Sequence, residues 1–502
     1  STSMSLGIIQ LTLIAYFLVA AGPYGVEGIV KATGPLYACL GTILLPLLLS
    51  IPLSLIFSEM CSLFPQPGST IMWAHNVILQ QPPRSWFMKT VTRVYANSLF
   101  FKACIANALV PVLISDYVAS FWDKAAHVVF KLVIAFFTFQ LAVFLNYKGL
   151  EVVGWSQWVF VALTTTPIVI FVILCLTKFN LQGLKPSNAP AELDFGMLFS
   201  NMVWQCTGFD QLTNLSGEVK NPNRTYPISL CLTVLLLIAT FLLPIFAGTM
   251  VQPDFSKWES GTFATVSLQL PGCQSGWLRW WLIVAAIISV LSVLNGQISC
   301  CSREISMNAQ AGYIPFGRWI GEIKQIGAKQ IPLNASLIGA LVPIVMLVLD
   351  FETLLKMYSF CVAMNLTVQM SLYVYTRHGK FGKANNGFKL PKKLWVSVGI
   401  VVIPYVAVGL LLVVTGLWAF VAWAAVQVCM FALFGIEVWS KRCVNKRKMR
   451  QSHAELIEFP VEQIDDENIV SHSSNIEIIF DQNKMNVPMQ NLMIAREHSQ
   501  LD

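Results

Sequence analysis

Runs of apolar residues long enough to cross a bilayer recur along this chain, separated by short polar stretches. A helical crossing needs about 20 mostly apolar residues. Twelve segments fit: about 8 to 33, 36 to 64, 88 to 119, 126 to 146, 151 to 177, 196 to 216, 228 to 250, 278 to 302, 334 to 351, 355 to 376, 394 to 415 and 418 to 440. Two of them are interrupted. The first breaks at Gly22-Pro23-Tyr24-Gly25, with Glu27 close behind, and the sixth carries the polar and small run Asn201-Met-Val-Trp-Gln-Cys-Thr-Gly-Phe-Asp210. Inside a bilayer, freed backbone groups and carboxylates persist only where protein or a water-filled cavity receives them. Both breaks therefore point to a buried polar site.

The breaks stand five spans apart. Discontinuous helices at matching positions of two halves mark inverted repeats around a midplane site. Residues 8–177 and 196–376 are expected to be the repeats, with 394–440 adding two further helices. The fold class expected is an all-α polytopic membrane protein of about twelve helices, with helices 1 and 6 discontinuous. The plainer alternative is a packing kink at Gly22 to Gly25 and a helix contact at Cys206 to Asp210; two breaks at this separation favour the repeats.

Composition agrees with a membrane setting: 55% of the 502 residues are hydrophobic and 12% charged, with mean hydropathy +0.63, against roughly a quarter charged in soluble domains. Placing both termini in the cytoplasm puts 22 basic residues on the inner side and six on the outer, as the positive-inside rule requires. An integral multi-pass protein of the plasma membrane is expected. Residues 1–450 hold a net +15, whereas the last 52 residues carry two basic and ten acidic side chains. Residues 441–502 are expected to form a cytoplasmic, largely disordered tail. Its opening run KRCVNKRKMR suits anionic headgroups, so membrane lipids are expected partners.

Other chemistries find little support. Twelve cysteines are scattered mostly inside spans, and only Cys273 falls clearly in an outer loop, so no outer disulfide framework is available. Cys300 and Cys301 are adjacent rather than at a ligand spacing, and the histidines form no cluster with them; no metal and no other cofactor is expected. The chain shows no phosphate-binding loop, dinucleotide fingerprint or nucleophile elbow and does not read as an enzyme. No nucleic-acid partner and no cleavable signal peptide are expected.

Three segments carry a resemblance. Ser216-Gly-Glu-Val-Lys-Asn-Pro-Asn-Arg-Thr-Tyr-Pro227 and Ser302-Arg-Glu-Ile-Ser-Met-Asn-Ala-Gln-Ala-Gly-Tyr-Ile-Pro315 resemble the signatures after the sixth and eighth spans of the amino acid/polyamine/organocation transporter superfamily; Ser58-Glu-Met-Cys-Ser-Leu-Phe-Pro-Gln-Pro-Gly-Ser69 with Trp73 resembles the end of its second span. Within that group, Ala21-Gly-Pro-Tyr-Gly-Val-Glu27, Asn107 to Tyr117 and Leu145 to Trp155 are similar to the eukaryotic polyamine/proton symporters of plants and protozoan parasites. The resemblance covers about residues 8 to 440. It implies a LeuT-type fold, alternating access and secondary transport of polyamines of the putrescine or spermidine type with a proton.

The residues carry their own argument beside it. At the first break, free carbonyls and free amides from Gly22 to Gly25 face one small cavity, where carbonyls suit an ammonium and amides a carboxylate. Glu27 is the carboxylate at this break; it can take a substrate ammonium or a coupling proton, or it can cap the second half-helix or pair with a lysine. Asp210 sits just past the second break, where it complements a second amine or carries the proton. Trp204 and Asp210 match the Trp and Asp of the related polyamine carriers. Trp204, Phe209 and Tyr24 are the aromatic faces suited to alkylammonium. One departure favours amino acids, cationic or broad-range: the plant relatives are acidic where this chain has Ala106, and a turn earlier it has Lys102, which can pair with Glu27, bind a substrate carboxylate or snorkel.

Coupling has two readings. Ser289, Ser292 and Asn295 in span 8 offer sodium ligands, whereas a proton needs only Glu27 or Asp210; the resemblance favours the proton, although the span 5 lysine of some relatives is replaced here by Thr164-Thr-Thr-Pro167. Glu59, Glu218 and Arg303, with Glu304, are expected to cap helices or form ion pairs that part as an inner gate opens. Lys131 and Lys356 lie near span ends and are expected to be structural. A rival function on the same fold is a non-transporting amino acid sensor that signals through the tail.

Overall fold

The computed structural model describes residues 7–20, 22–64, 70–79, 86–119, 122–148, 150–326, 329–378, 387–391 and 393–457. They fall into two units, Ser1–Ser440 and Lys441–Asp502, which are taken separately here. Ala21 and residues 65–69, both part of the segments quoted above, lie outside the described residues.

In the first unit the first apolar segment forms two short helices, α1 (Ile8–Val19) and α2 (Glu27–Thr33). Pro23 has no amide proton for a helical ladder, and Gly22 and Gly25 take φ of 65° and 85°, a region costly for side-chain-bearing residues. The second segment runs as α3 (Pro35–Leu45), one π-helical turn (Pro46–Ser50) and α4 (Ile51–Leu63). Then come α5 (Thr70–Leu79), α6 (Trp86–Ala119), α7 (Val128–Lys148) and α8 (Leu150–Leu176). Of the long apolar helices, α6 is the most enclosed: 94% of its apolar window is buried, against 56% or less for each of the others. It packs against α5, α7, α12, α14 and α15.

The second broken segment is α9 (Phe195–Cys206), which stops at Gly208 (φ 115°) and gives way to a 3-10 stretch, Phe209–Glu218. α10 (Pro222–Val251), the short α11 (Thr262–Ser267), α12 (Trp277–Gln310) and α13 (Gly317–Ile320) follow. A two-stranded antiparallel hairpin, β1 (Lys324–Ile326) and β2 (Lys329–Ile331), interrupts the helices with Gln325 opposite Gln330. The first unit then carries α14 (Leu333–Leu341) with a 3-10 extension to Val348, α15 (Phe351–His378), α16 (Leu394–Val414) and the start of α17 (Gly416–Ile457).

Seven helices among the described residues are long and apolar enough to cross a bilayer, and shorter apolar ones accompany them at Ile8–Val19, Leu333–Val348 and Val398–Val413. Large apolar side chains stand exposed on α7, α16 and α17, among them Phe137, Val413 and Trp418. A surface this apolar suits lipid and not water. The chain is an all-α polytopic membrane protein. In the second unit, helix continues through Lys441–Ile457, where the expected tail begins; Lys, Arg, Met, Ala, Glu and Leu, all good helix formers, dominate that stretch. Residues 458–502 lie outside the described residues.

Candidate functional site

A broken helix in an apolar setting must place its freed carbonyls and amides, and here the second broken helix serves carbonyls of the first. Asn201 and Gln205 on α9 donate their side-chain amides to the carbonyls of Gly25 (2.7 Å) and Tyr24 (3.1 Å). The backbone at Gly208 lies against the end of α1, so close that a Cβ there would stand 3.2 Å from the Leu18 carbonyl. Cys206, the last residue of α9, has its carbonyl capped by Ser50 of the π turn at 2.8 Å. The polar run that no lipid-facing helix would hold is thus turned inward, onto the first break.

Glu27 opens α2 and is fully buried. One carboxylate oxygen accepts the Gly25 amide at 2.9 Å; the Tyr117 hydroxyl, on α6, lies 3.0 Å from both oxygens. Tyr117 itself accepts from the Gly25 amide at 2.7 Å, so a single phenol bridges the break and the acid. From the loop before α11, the Gly261 amide reaches Glu27 at 3.3 Å. In this conformation Glu27 caps the break, and the α11 segment closes over it. Tyr24 lies edge-on to Tyr117 with its hydroxyl 3.5 Å from the Thr164 carbonyl, and Trp204 packs edge-on to Phe351 at the start of α15. Gly25 faces Trp204 directly: an added Cβ would meet the indole and Leu113 at 3.3 Å each. Gly22 faces Ser289 of α12.

On the other side of Gly208 lies a second polar centre. Lys102 of α6 donates to Asp210, and the two form a buried ion pair. A narrow cavity beside the pair is lined by Thr207, Phe209, Asn365 and Gln369 together with Lys102 and Asp210. The carboxylates expected to share one site therefore occupy two: Glu27 with Gly22, Tyr24, Gly25 and Trp204 at the first break, Asp210 with Lys102 and Phe209 past the second. Lys102 pairs with Asp210 and not with Glu27. The three aromatic rings are distributed over both centres rather than stacked in one box.

Of the residues expected at an inner gate, Glu59 on α4 accepts from Arg377 (2.5 Å), the Tyr373 hydroxyl (3.0 Å) and the Leu390 amide (3.3 Å). Arg377 also holds the carbonyls of Leu390 and Pro391 at 3.0 and 2.6 Å, joining α4, α15 and the segment before α16. Arg303 bonds within its own helix to Ser299. The Glu218 side chain lies outside what is described. Asn295 ties α7, α8 and α12 together through Asn146 and Ser156. Lys356 pairs with Glu352. Tyr117, Asn201 and Gln205 were in view in the sequence without a role; Asn365 and Gln369 carried no signal, being two of many polar residues on an apolar span.

Two interlocked broken helices inside an apolar bundle, with a buried carboxylate beside each break, are the arrangement a membrane transporter uses. The chain matches the amino acid permease family over residues 6–440 and belongs to it. It is 26% identical over 416 residues to the polyamine transporter RMV1 of Arabidopsis thaliana, covering 82% of this chain and 80% of that one. It is 29% identical over 325 residues to the polyamine transporter PUT1 of Oryza sativa subsp. japonica, covering 63% and 57%. A probable polyamine transporter of Arabidopsis thaliana is 26% identical over 468 residues, covering 91% of each chain.

Proposed function

We propose that this permease carries polyamines across the plasma membrane together with protons, by alternating access. The observation that carries the reading is the pair of buried carboxylates, Glu27 and Asp210, one beside each helix break, each able to receive an ammonium group among aromatic and apolar side chains. Relatives named as polyamine transporters point the same way. The proposal uses twelve crossings with both termini cytoplasmic and inverted repeats over about 8–177 and 196–376. In this frame the α11 loop over Glu27 closes the outer side, and the Glu59–Arg377 link closes the inner side. Opening either one exposes one carboxylate centre.

Lys102 supports a second reading, a carrier of cationic or broad-range amino acids, because its ammonium can receive a substrate carboxylate once it leaves Asp210. Proteoliposome uptake of labelled putrescine and arginine, with and without an inward proton gradient, separates the two. Gradient-driven putrescine uptake supports the first reading; arginine uptake with no putrescine uptake supports the second; uptake of neither defeats both.

A further inference from the structure

Lys102 sits where a substrate amine is needed. Its ammonium holds Asp210 inside the cavity, and the same cavity receives oxygen acceptors from α15 that nothing among the described residues uses. The Asn365 side chain, 2% exposed, has neither its oxygen nor its nitrogen bonded; Gln369, one helical turn on and 1% exposed, gives its nitrogen to Thr70 and leaves its oxygen free. Buried amide oxygens without donors are costly and rare, and each asks for a ligand. An alkylammonium presents three donors. Asp210, Asn365 and Gln369 present three acceptors.

A second carboxylate waits beside the lysine. Glu304 on α12 is buried with one oxygen unpartnered. The α6–α12 contact at Asn107 and Cys301 fixes its level, and Tyr95 packs near Tyr313, so the two helices run antiparallel. Lys102 lies five residues from Asn107 and Glu304 three from Cys301, both toward the same end. At 1.5 Å per residue, the two differ in height by about 3 Å. Ala103, next to Lys102, packs in one cluster with Cys301 and Ile305, which flank Glu304.

We propose that Lys102 is a tethered stand-in for the substrate: its ammonium fills the amine subsite of Asp210, Asn365 and Gln369 in the empty carrier and moves to Glu304 when a substrate ammonium takes its place. The exchange leaves Asp210 opposite a cation with or without cargo, which matters where an unpaired buried charge is strongly disfavoured, and gives Glu304 one when cargo is bound. It also makes the empty carrier self-neutral at this subsite, so the carrier can return without cargo. This inference rests on the transport reading and deepens it by assigning α15 and Glu304 to the amine site.

The test is putrescine uptake by proteoliposomes of the full chain, with melting temperature followed in parallel. Apparent affinity is the intrinsic affinity scaled by the fraction of molecules whose subsite is free, so Lys102→Met lowers the putrescine KM by about tenfold. Glu304→Gln removes the lysine's alternative partner and raises KM by a similar factor; the double variant behaves as Lys102→Met alone. A Lys102→Met KM that is unchanged or raised, at wild-type melting temperature, overturns the proposal, as does a Glu304→Gln effect that persists in the double variant. Should Lys102→Met fail to fold, Lys102→Arg holds Asp210 more firmly and raises KM; an unchanged KM there also overturns it. If the wild type takes up no putrescine, the polyamine reading fails instead, and arginine uptake by the same variants decides. A lower arginine KM in Lys102→Met supports the stand-in, whereas a higher one makes Lys102 a carboxylate ligand and sinks it.

Discussion

Substituting Gly25 by alanine separates the strain of a turn from the geometry of a site. Gly25 has φ of 85°, where a side chain costs about 1–2 kcal/mol. Its Cβ would also meet Leu113 and Trp204 at 3.3 Å, tight enough to push these neighbours by a few tenths of an ångström, with the Gln205 amide in ordinary contact at 3.5 Å. Overpacking of this kind adds about 1–3 kcal/mol. Gly272 is the control: φ is 72° and nothing lies within 4 Å of its Cβ. Gly272→Ala should therefore show the backbone cost alone, with unchanged uptake. Gly25→Ala should melt lower still and, because the packing term falls on Leu113 and the Trp204 indole against the break, lose uptake by about 5- to 150-fold at 1.4 kcal/mol per tenfold. Melting curves and initial rates of putrescine uptake for both variants are the assay. Equal melting and wild-type uptake in Gly25→Ala would refute the placement of Trp204 and Gln205 over the break.

Tyr117→Phe removes the hydroxyl shared by Gly25 and Glu27 and should cost about 1.5–3 kcal/mol in stability, as for hydrogen bonds to charged groups, with a drop in uptake; chemical denaturation and transport rate read both. Asn201→Ala leaves the Gly25 carbonyl without its donor and should cost about 1–3 kcal/mol, whereas an exposed asparagine such as Asn223 should tolerate alanine; thermal shift compares them. Glu59→Gln weakens the link among α4, α15 and the segment before α16, so a cysteine placed at Leu390 should react faster with a membrane-impermeant maleimide from the inner side; unchanged labelling would remove this link from the inner gate.

The two breaks were legible because Gly-Pro-Tyr-Gly and a run of amides, cysteine and threonine contradict a lipid-facing helix. Local chemistry alone located them to within a few residues. Their partnership was visible only as a spacing of five spans; that Asn201 and Gln205 serve the carbonyls of Tyr24 and Gly25 depends on the rotation of α9 about its axis, which periodicity does not set. The destination of Lys102 was open for the same reason; on α6 it stands 15 residues before Tyr117, about 22 Å at 1.5 Å per residue, which puts Glu27 beyond its reach. The role of Tyr117 was hidden because a phenol near a span end usually marks an interface. Asn365 and Gln369 stand out only once their empty hydrogen-bonding positions and the cavity are known together.

We propose that the interlocked breaks form the path of a proton-coupled amine carrier. It is tested most directly by putrescine accumulation in proteoliposomes under an imposed inward proton gradient, for the wild type and Glu27→Gln. The wild type should concentrate putrescine above the external level, a protonophore should abolish the accumulation, and Glu27→Gln, folded by its melting curve, should not concentrate it. Accumulation by Glu27→Gln equal to that of the wild type, or wild-type uptake indifferent to the gradient, would contradict it.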